Sequence, residues 1–216
     1  RTRPYLVMEY FEGTSLADYS RSHGPLSVED LLAIAHPVAK ALQAAHSRGI
    51  LHRDIKPANL LVRREGADWK IKIIDFGLAL RQSVLADSSS TARSDRTILG
   101  NSIAGTVDYA APEQMGKLPG TPVGLPADIF GFAKTCCFAL FQTPQPLRKH
   151  WALLPHHLDE LLNDCLAENP SDRPQTCAEV LERLTPRVKA IKPPRKPSAD
   201  KPVLELQGAE SAILDD

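Results

Sequence analysis

The sequence predicts a mainly α-helical domain of the α+β class, with a few short strands. A Ser-x-x-Asp capping pattern occurs at Ser15 and again at Ser27, and apolar residues recur at helical spacing behind the second one. Residues 128–140 are strongly apolar and contain no proline, which predicts a buried helix. Short apolar runs at 60–62 and 71–74 have the length of strands.

The first part of the chain is expected to hold a strand, a connector and two helices. Residues 5–8 are apolar and few, which predicts a buried strand, and residues 9–13 lead away from it. The helix behind Ser27 should end near Gly49, because glycine readily adopts the conformation that closes a helix. Pro37 lies inside this helix, and we expect it to bend the helix without breaking it.

The middle of the chain alternates short strands with irregular segments. Apolar segments at 50–51, 60–62 and 71–74 predict three strands around the polar loop 52–59. Residues 78–105 are rich in Ser, Thr, Asp and Arg, with few periodic apolar positions. A long segment of this kind inside a compact domain usually has a function.

The C-terminal part changes character after residue 184. Two amphipathic helices are predicted around 158–166 and 178–184. In 185–216, prolines alternate with lysines and arginines, and such a segment buries too little apolar surface to fold alone. We therefore predict a domain at 1–184 and a flexible linker or tail at 185–216, with a basic patch for membrane or nucleic acid as the alternative for the tail.

Composition narrows the classes of function. The 26 Lys and Arg residues balance 26 Asp and Glu residues, so bulk charge gives no argument for a nucleic-acid or membrane-surface partner. No apolar run reaches the roughly 18 residues of a membrane span, no signal-peptide pattern is visible, and we expect a cytoplasmic protein. The four cysteines form no Cys-x-x-Cys pair and are interpreted as reduced thiols in the core.

Three motifs carry the chemistry. Residues 52–59 are His-Arg-Asp-Ile-Lys-Pro-Ala-Asn, residues 75–77 are Asp-Phe-Gly, and residues 111–113 are Ala-Pro-Glu. Their order and spacing make a chance combination a poor explanation. On these motifs the chain resembles the Hanks-type, eukaryotic-like Ser/Thr protein kinases, most closely the bacterial members, over roughly residues 4–184.

The resemblance implies the hinge and the C-terminal lobe of a protein kinase. The Gly-rich loop and the strand lysine of the N-terminal lobe have no match, so that lobe is expected to be absent from this chain. The implied activity is transfer of the γ-phosphate of ATP, with Mg²⁺, to Ser or Thr hydroxyls of a protein, including autophosphorylation. We expect the isolated fragment to be inactive without the N-terminal lobe. The alternatives are a non-catalytic scaffold that binds partners and, less favoured, a small-molecule kinase.

Five residues match catalytic positions of the resembled family. Asp54 matches the residue that orients the substrate hydroxyl and accepts its proton, and Lys56 can offset charge on the transferring phosphoryl group. A lysine at this position marks Ser/Thr kinases in the family. Asn59 and Asp75 match the metal ligands, and their oxygens suit Mg²⁺. Thr106 matches the position that contacts the catalytic aspartate and lysine.

The resemblance also implies a nucleotide site. Met8 matches the gatekeeper position, and Glu9 to Phe11 match the hinge, whose backbone groups bind adenine. Leu61 matches the apolar floor under the purine, with an ordinary core leucine as the equally good alternative. Ser15, besides opening a helix, is assigned to the nucleotide site.

One arginine suggests regulation. In the resembled family, an arginine at the position of Arg53 can pair with a phosphorylated residue and order the segment that carries it. Thr97 and Ser102 are the first candidates for that modification, because they lie nearest the Ala-Pro-Glu motif. The alternative is that they are unmodified linker hydroxyls.

Five further residues match structural positions. His52 and Phe76 match packing positions of the core, and Asp128 matches a residue that anchors the backbone of the catalytic loop. Glu113 and Arg173 match a buried pair, in which a guanidinium meets a carboxylate bidentately.

Overall fold

The computed structural model describes residues 7–76 and 107–185. These ranges contain six α-helices and a three-stranded sheet, which confirms the predicted mainly helical α+β fold. In chain order the elements are β1 (Thr14–Ser15), α1 (Leu16–His23), α2 (Val28–His46), β2 (Leu60–Glu65), β3 (Asp68–Ile73), α3 (Leu125–Phe141), α4 (Arg148–Trp151), α5 (His156–Cys165) and α6 (Cys177–Leu184). Short 3₁₀ turns lie at Pro57–Asn59 and Pro170–Asp172.

Both predicted helix caps are formed. The hydroxyl of Ser15 accepts a hydrogen bond from the backbone N–H of Asp18 at 3.0 Å, and that of Ser27 accepts one from Asp30 at 3.0 Å. Each hydroxyl also donates to the carboxylate of the same aspartate, at 2.7 and 3.0 Å. The caps satisfy N–H groups that would otherwise lack partners, so α1 and α2 begin where the sequence predicts.

Helix α2 runs without interruption through Pro37 and ends at His46. Gly49 follows with a φ of 72°, and its N–H donates to the carbonyl of His46 at 2.9 Å. The prediction of an unbroken helix that stops just before Gly49 is therefore confirmed.

The sheet is antiparallel and has the order β1-β2-β3. Strands β2 and β3 form a hairpin in which Leu60 pairs with Ile73 and Glu65 pairs with Asp68. Both predicted strands are confirmed, and both extend further toward the hairpin turn than their apolar residues alone indicate. Because β3 ends at Ile73, the sheet delivers Asp75 to the same edge at which β2 begins.

The core lies between the sheet and helices α2, α3, α5 and α6. Helix α3 is its centre, with Ile129, Phe132 and Ala133 at most 2% exposed. The four cysteines are buried and free, as expected for core thiols. No helix within the described ranges is long and apolar enough to cross a bilayer.

The strand predicted at 50–51 and the described half of the strand predicted at 5–8 are wrong. Val7 and Met8 lie outside any strand and are 82% and 51% exposed, and residues 50–51 are also not in a strand, with Ile50 46% exposed. A short apolar pair forms a strand only where a neighbouring strand offers hydrogen-bond partners. Among residues 7–76 and 107–185 no strand pairs with either segment, and the N–H of Ile50 instead donates to the carbonyl of Ala45.

Several predictions lie outside the described residues. They concern Thr97, Ser102 and Thr106, residues 5–6 of the predicted strand at 5–8, the polar segment 78–105 and the tail from residue 186 onward. The division of the chain at residue 184 also stays a prediction.

Candidate active site

A buried carboxylate fixes the loop between α2 and β2. Asp128 on α3 is 1% exposed and accepts hydrogen bonds from the backbone N–H groups of His52 at 2.8 Å and Arg53 at 2.6 Å. Its Oδ2 also lies 2.8 Å from Nε2 of His46, at the end of α2. The loop that carries Asp54 is therefore attached to α2 and α3, the two longest helices among the described residues.

Asp54, Lys56 and Asn59 lie together at the end of this loop. The Oδ2 atom of Asp54 lies 2.8 Å from Nζ of Lys56 and accepts a hydrogen bond from Nδ2 of Asn59 at 3.0 Å. The same amide nitrogen donates to the backbone carbonyl of Asp54 at 2.8 Å. The side chain of Asp54 remains 22% exposed, so its carboxylate is held in place and is still accessible from solvent.

Asp75 lies beside this group. The N–H of Ile74 donates to the carbonyl of Asn59 at 3.0 Å, which joins the residue before Asp75 to the end of the loop. Since Nδ2 of Asn59 is engaged by Asp54, Oδ1 is the atom that remains as a metal ligand. An amide oxygen next to a carboxylate is a donor set that fits Mg²⁺.

His52 and Phe76 are in contact, with ring centroids 4.5 Å apart. His52 is fully buried, and its Nε2 lies 2.9 Å from the carbonyl of Ile74. Phe76 is 41% exposed, so it is less buried than its match to a core position implies.

The segment that matches the hinge lies along the edge of the sheet. Met8 is half exposed, and Glu9 contacts Lys72 of β3 twice, through its carboxylate at 2.8 Å and through its backbone carbonyl at 3.2 Å. The hydrogen bond and the charge of Lys72 lower the pKa of Glu9. This contact ties the connector to the strand that leads into Asp75.

The remaining residues assigned to the nucleotide site lie on the neighbouring strands. Phe11 packs beside Arg63, whose Cζ lies 6.0 Å from the ring centroid. Ser15 and Leu61 are register partners of β1 and β2, and Leu61 is only partly buried. The hydroxyl of Ser15 is used by the cap of α1.

Glu113 and Arg173 form a fully buried bidentate pair, with N–O distances of 2.8 and 2.9 Å. The guanidinium also donates to the backbone carbonyls of Ala167, Glu168 and Pro126 at 2.8, 2.9 and 3.1 Å. All five of its N–H groups are therefore paired. The pair attaches the segment after residue 107 to the end of the domain.

Three residues at this site were missed by sequence reasoning. Lys72 had a signal, since it is the charged residue in the otherwise apolar run 71–74. Gln114 directly follows the Ala-Pro-Glu motif but is not part of it, so the motif did not identify this residue. His46 had no signal in the sequence, because its partners are distant in sequence. Its Nδ1 lies 3.6 Å from the thiol of Cys177.

The match to a known family is decisive. The model of the protein kinase domain family matches residues 1–184. This chain belongs to the protein kinase family. The resemblance derived from the three motifs is thereby confirmed.

Two of the relatives are named as bacterial Ser/Thr kinases. The kinase chain is 30% identical to serine/threonine-protein kinase PknB of Mycobacterium leprae over 95% of its own length and 34% of that protein. It is 32% identical to the probable serine/threonine-protein kinase CPE1738 of Clostridium perfringens, over 82% of this chain and 26% of that protein. The chain thus spans about a third or less of the length of these relatives.

Solved kinase domains share the fold. A double mutant of the PknI kinase domain of Mycobacterium tuberculosis aligns with a TM-score of 0.59 and 29% identity, over 82% of this chain and 62% of that one. A Rad53 kinase domain in complex with AMPPNP aligns with a TM-score of 0.57 and 20% identity, over 82% of this chain and 66% of that one. The second likeness shows the fold alone.

Proposed function

We propose that this chain is the hinge and C-terminal lobe of an ATP-dependent Ser/Thr protein kinase. The observation that carries the proposal is the grouping of Asp54, Lys56 and Asn59 in one anchored loop, next to the strand end that bears Asp75. The Ser/Thr kinases to which the chain is similar support the same conclusion.

Asp54 has the position of an acceptor for the proton of a substrate hydroxyl. Its carboxylate is accessible, and Asn59 and Lys56 hold it in one orientation, as a group that positions an attacking oxygen must be held. Lys56 would place its ammonium group near the transferring phosphoryl group, where negative charge develops. Thr106 is proposed to approach this pair from the segment outside the described residues.

Asn59 and Asp75 are the residues that would hold Mg²⁺. Bound Mg²⁺ neutralises charge on the nucleotide phosphates during phosphoryl transfer. The backbone of Glu9 to Phe11 would bind adenine, with Met8 beside it and Leu61 beneath the purine. For Ser15, a nucleotide contact would come from the backbone, because the cap of α1 uses its hydroxyl.

The substrate class is a protein that presents a Ser or Thr hydroxyl, and autophosphorylation is part of the proposal. Arg53 would pair with a phosphorylated Thr97 or Ser102. Its Nε is buried, and no hydrogen-bond partner for that atom occurs among the described residues. A cytoplasmic site of action also belongs to this proposal.

The experiment measures transfer of ³²P from [γ-³²P]ATP to a generic protein substrate by the full-length protein. Asp54→Asn should lower the rate by about 10²–10⁴-fold, because the proton acceptor is lost while the shape is retained. Asp68→Asn, at the exposed first residue of β3, is the matched control and should keep wild-type turnover.

Equal rates for Asp54→Asn and the wild type would contradict the proposal. A wild-type protein that transfers no phosphate and binds no Mg-ATP by calorimetry would favour the non-catalytic scaffold instead.

A further inference from the structure

We propose that Gln114 is a positioning residue for phosphoryl transfer, which it serves by fixing the peptide that joins Arg53 to Asp54. The inference rests on the function proposed above and adds a residue that the motifs do not contain. Gln114 would not touch substrate or nucleotide, and its effect would be transmitted through the backbone of the catalytic loop.

The side chain of Gln114 connects two segments that are far apart in sequence. Its Nε2 donates a hydrogen bond of 2.8 Å to the backbone carbonyl of Arg53. Its Oε1 accepts one of 3.0 Å from the backbone N–H of Ala111, the first residue of Ala-Pro-Glu. One amide therefore joins the catalytic loop to the segment that follows residue 107.

The amide of Gln114 is oriented before it reaches the loop. The backbone N–H of Gln114 donates to the carbonyl of Ala111 at 3.0 Å, while the N–H of Ala111 donates to the side chain of Gln114. Ala111 is fully buried, so this small reciprocal ring is fixed in the core. Since Oε1 is used within the ring, Nε2 is the end that faces Arg53.

Arg53 needs such support because its backbone is in an unfavourable conformation. Its φ is 64°, in the left-handed region of backbone conformations that residues other than glycine rarely adopt. Asp128 holds the N–H of Arg53 at 2.6 Å, and Gln114 holds its carbonyl. The residue is thus clamped at both ends, and the second clamp is the one nearer to Asp54.

The clamped peptide determines where Asp54 lies. The carbonyl of Arg53 and the N–H of Asp54 belong to one rigid planar group, so a rotation of that carbonyl would move the start of Asp54 as well. Gln114 and Asp54 also line the same small cavity, together with Tyr109 and Gly131. A shift of about 1 Å in a catalytic group can lower a rate on the order of 10²-fold.

The chemistry of the amide allows the two contacts to be tested separately. Gln114→Glu retains an acceptor for the N–H of Ala111 but has no donor for the carbonyl of Arg53. Gln114→Leu removes both contacts. If Gln114 served only the folding of the Ala-Pro-Glu turn, Gln114→Leu would impair that role and Gln114→Glu would retain it.

The first measurement is steady-state kinetics on the full-length protein. We expect Gln114→Glu and Gln114→Leu each to lower kcat at least about tenfold, with the KM for ATP within about twofold of wild type because the hinge is not touched. Gln43→Glu, on the exposed side of α2, controls for the added charge and should leave both constants unchanged. Wild-type kcat in Gln114→Glu would overturn the proposal.

The second measurement is hydrogen exchange of the amides of residues 53–55 without nucleotide. Exchange should be at least about tenfold faster in Gln114→Glu than in wild type, because the loop loses one clamp. Unchanged exchange would overturn the clamp even in a protein without kinase activity. If wild type transfers no phosphate but exchange still responds to Gln114→Glu, the proposed function fails and the clamp stands.

Discussion

The buried pair between Glu113 and Arg173 provides the sharpest test of how the domain is held together. We predict that Arg173→Lys destabilises the domain by about 3–5 kcal/mol, although the charge is kept. The guanidinium places five N–H groups on a carboxylate and three backbone carbonyls. A lysine has three N–H groups on a single atom, so it leaves buried acceptors without partners.

The magnitude follows from these contacts. Both side chains are 0% exposed, so solvent cannot replace the lost hydrogen bonds. At least two acceptors lose a charged donor, each worth about 1.5–3 kcal/mol, and the bidentate geometry is lost with them. For a domain of this size, such a change lowers the melting temperature by roughly 6–20 °C.

The assay is urea unfolding followed by the fluorescence of Trp69 and Trp151. The matched control is Arg183→Lys, whose pair with Asp164 has a similar distance of 2.7 Å but is partly exposed, and it should cost less than about 1 kcal/mol. Replacing both buried partners, as Glu113→Leu with Arg173→Met, should cost less than the sum of the single changes. An Arg173→Lys protein as stable as the control would refute the reasoning.

Four further predictions concern the loop, the hinge and the core. Asp128→Asn should lower the free energy of unfolding by about 2–3 kcal/mol and reduce kcat, since its NH₂ group replaces an acceptor for a backbone N–H; unchanged urea midpoints would contradict this. Lys72→Met should raise the KM for ATP with little change in kcat, whereas Lys70→Met, whose ammonium lies 3.9 Å from Glu65, should change neither. Burial raises the pKa of three thiols to about 12 and that of the fourth in the same direction, so Ellman's reagent should react with all four only after unfolding. Because unfolded thiols release protons near their ordinary pKa of 9.0, the free energy of unfolding should fall as pH rises from about 9 toward 12. The four thiols are those of Cys136, Cys137, Cys165 and Cys177.

Local signals explain why the helices could be predicted from sequence. The caps at Ser15 and Ser27 depend on contacts three residues apart, so the sequence contains both partners. Helix α3 is buried almost all round, and its composition alone indicates that. The wrong strands at 7–8 and 50–51 had only apolar character, and whether such a pair is buried depends on neighbours that the local sequence does not contain.

The candidate site divides in the same way. The grouping of Asp54, Lys56 and Asn59 could be expected, because a short loop contains all three. Gln114 and His46 could not, since their contacts with Arg53 and Asp128 span 61 and 82 positions. Such contacts depend on how segments distant in sequence pack together, and the local sequence does not contain that information.

The most direct test of the central claim is phosphoamino-acid analysis of the full-length protein after incubation with [γ-³²P]ATP and Mg²⁺. The account predicts label on phosphoserine and phosphothreonine in the wild type and in Asp68→Asn, and a loss of label in Asp54→Asn. Label in Asp54→Asn equal to that of the wild type, or label confined to phosphotyrosine, would contradict it.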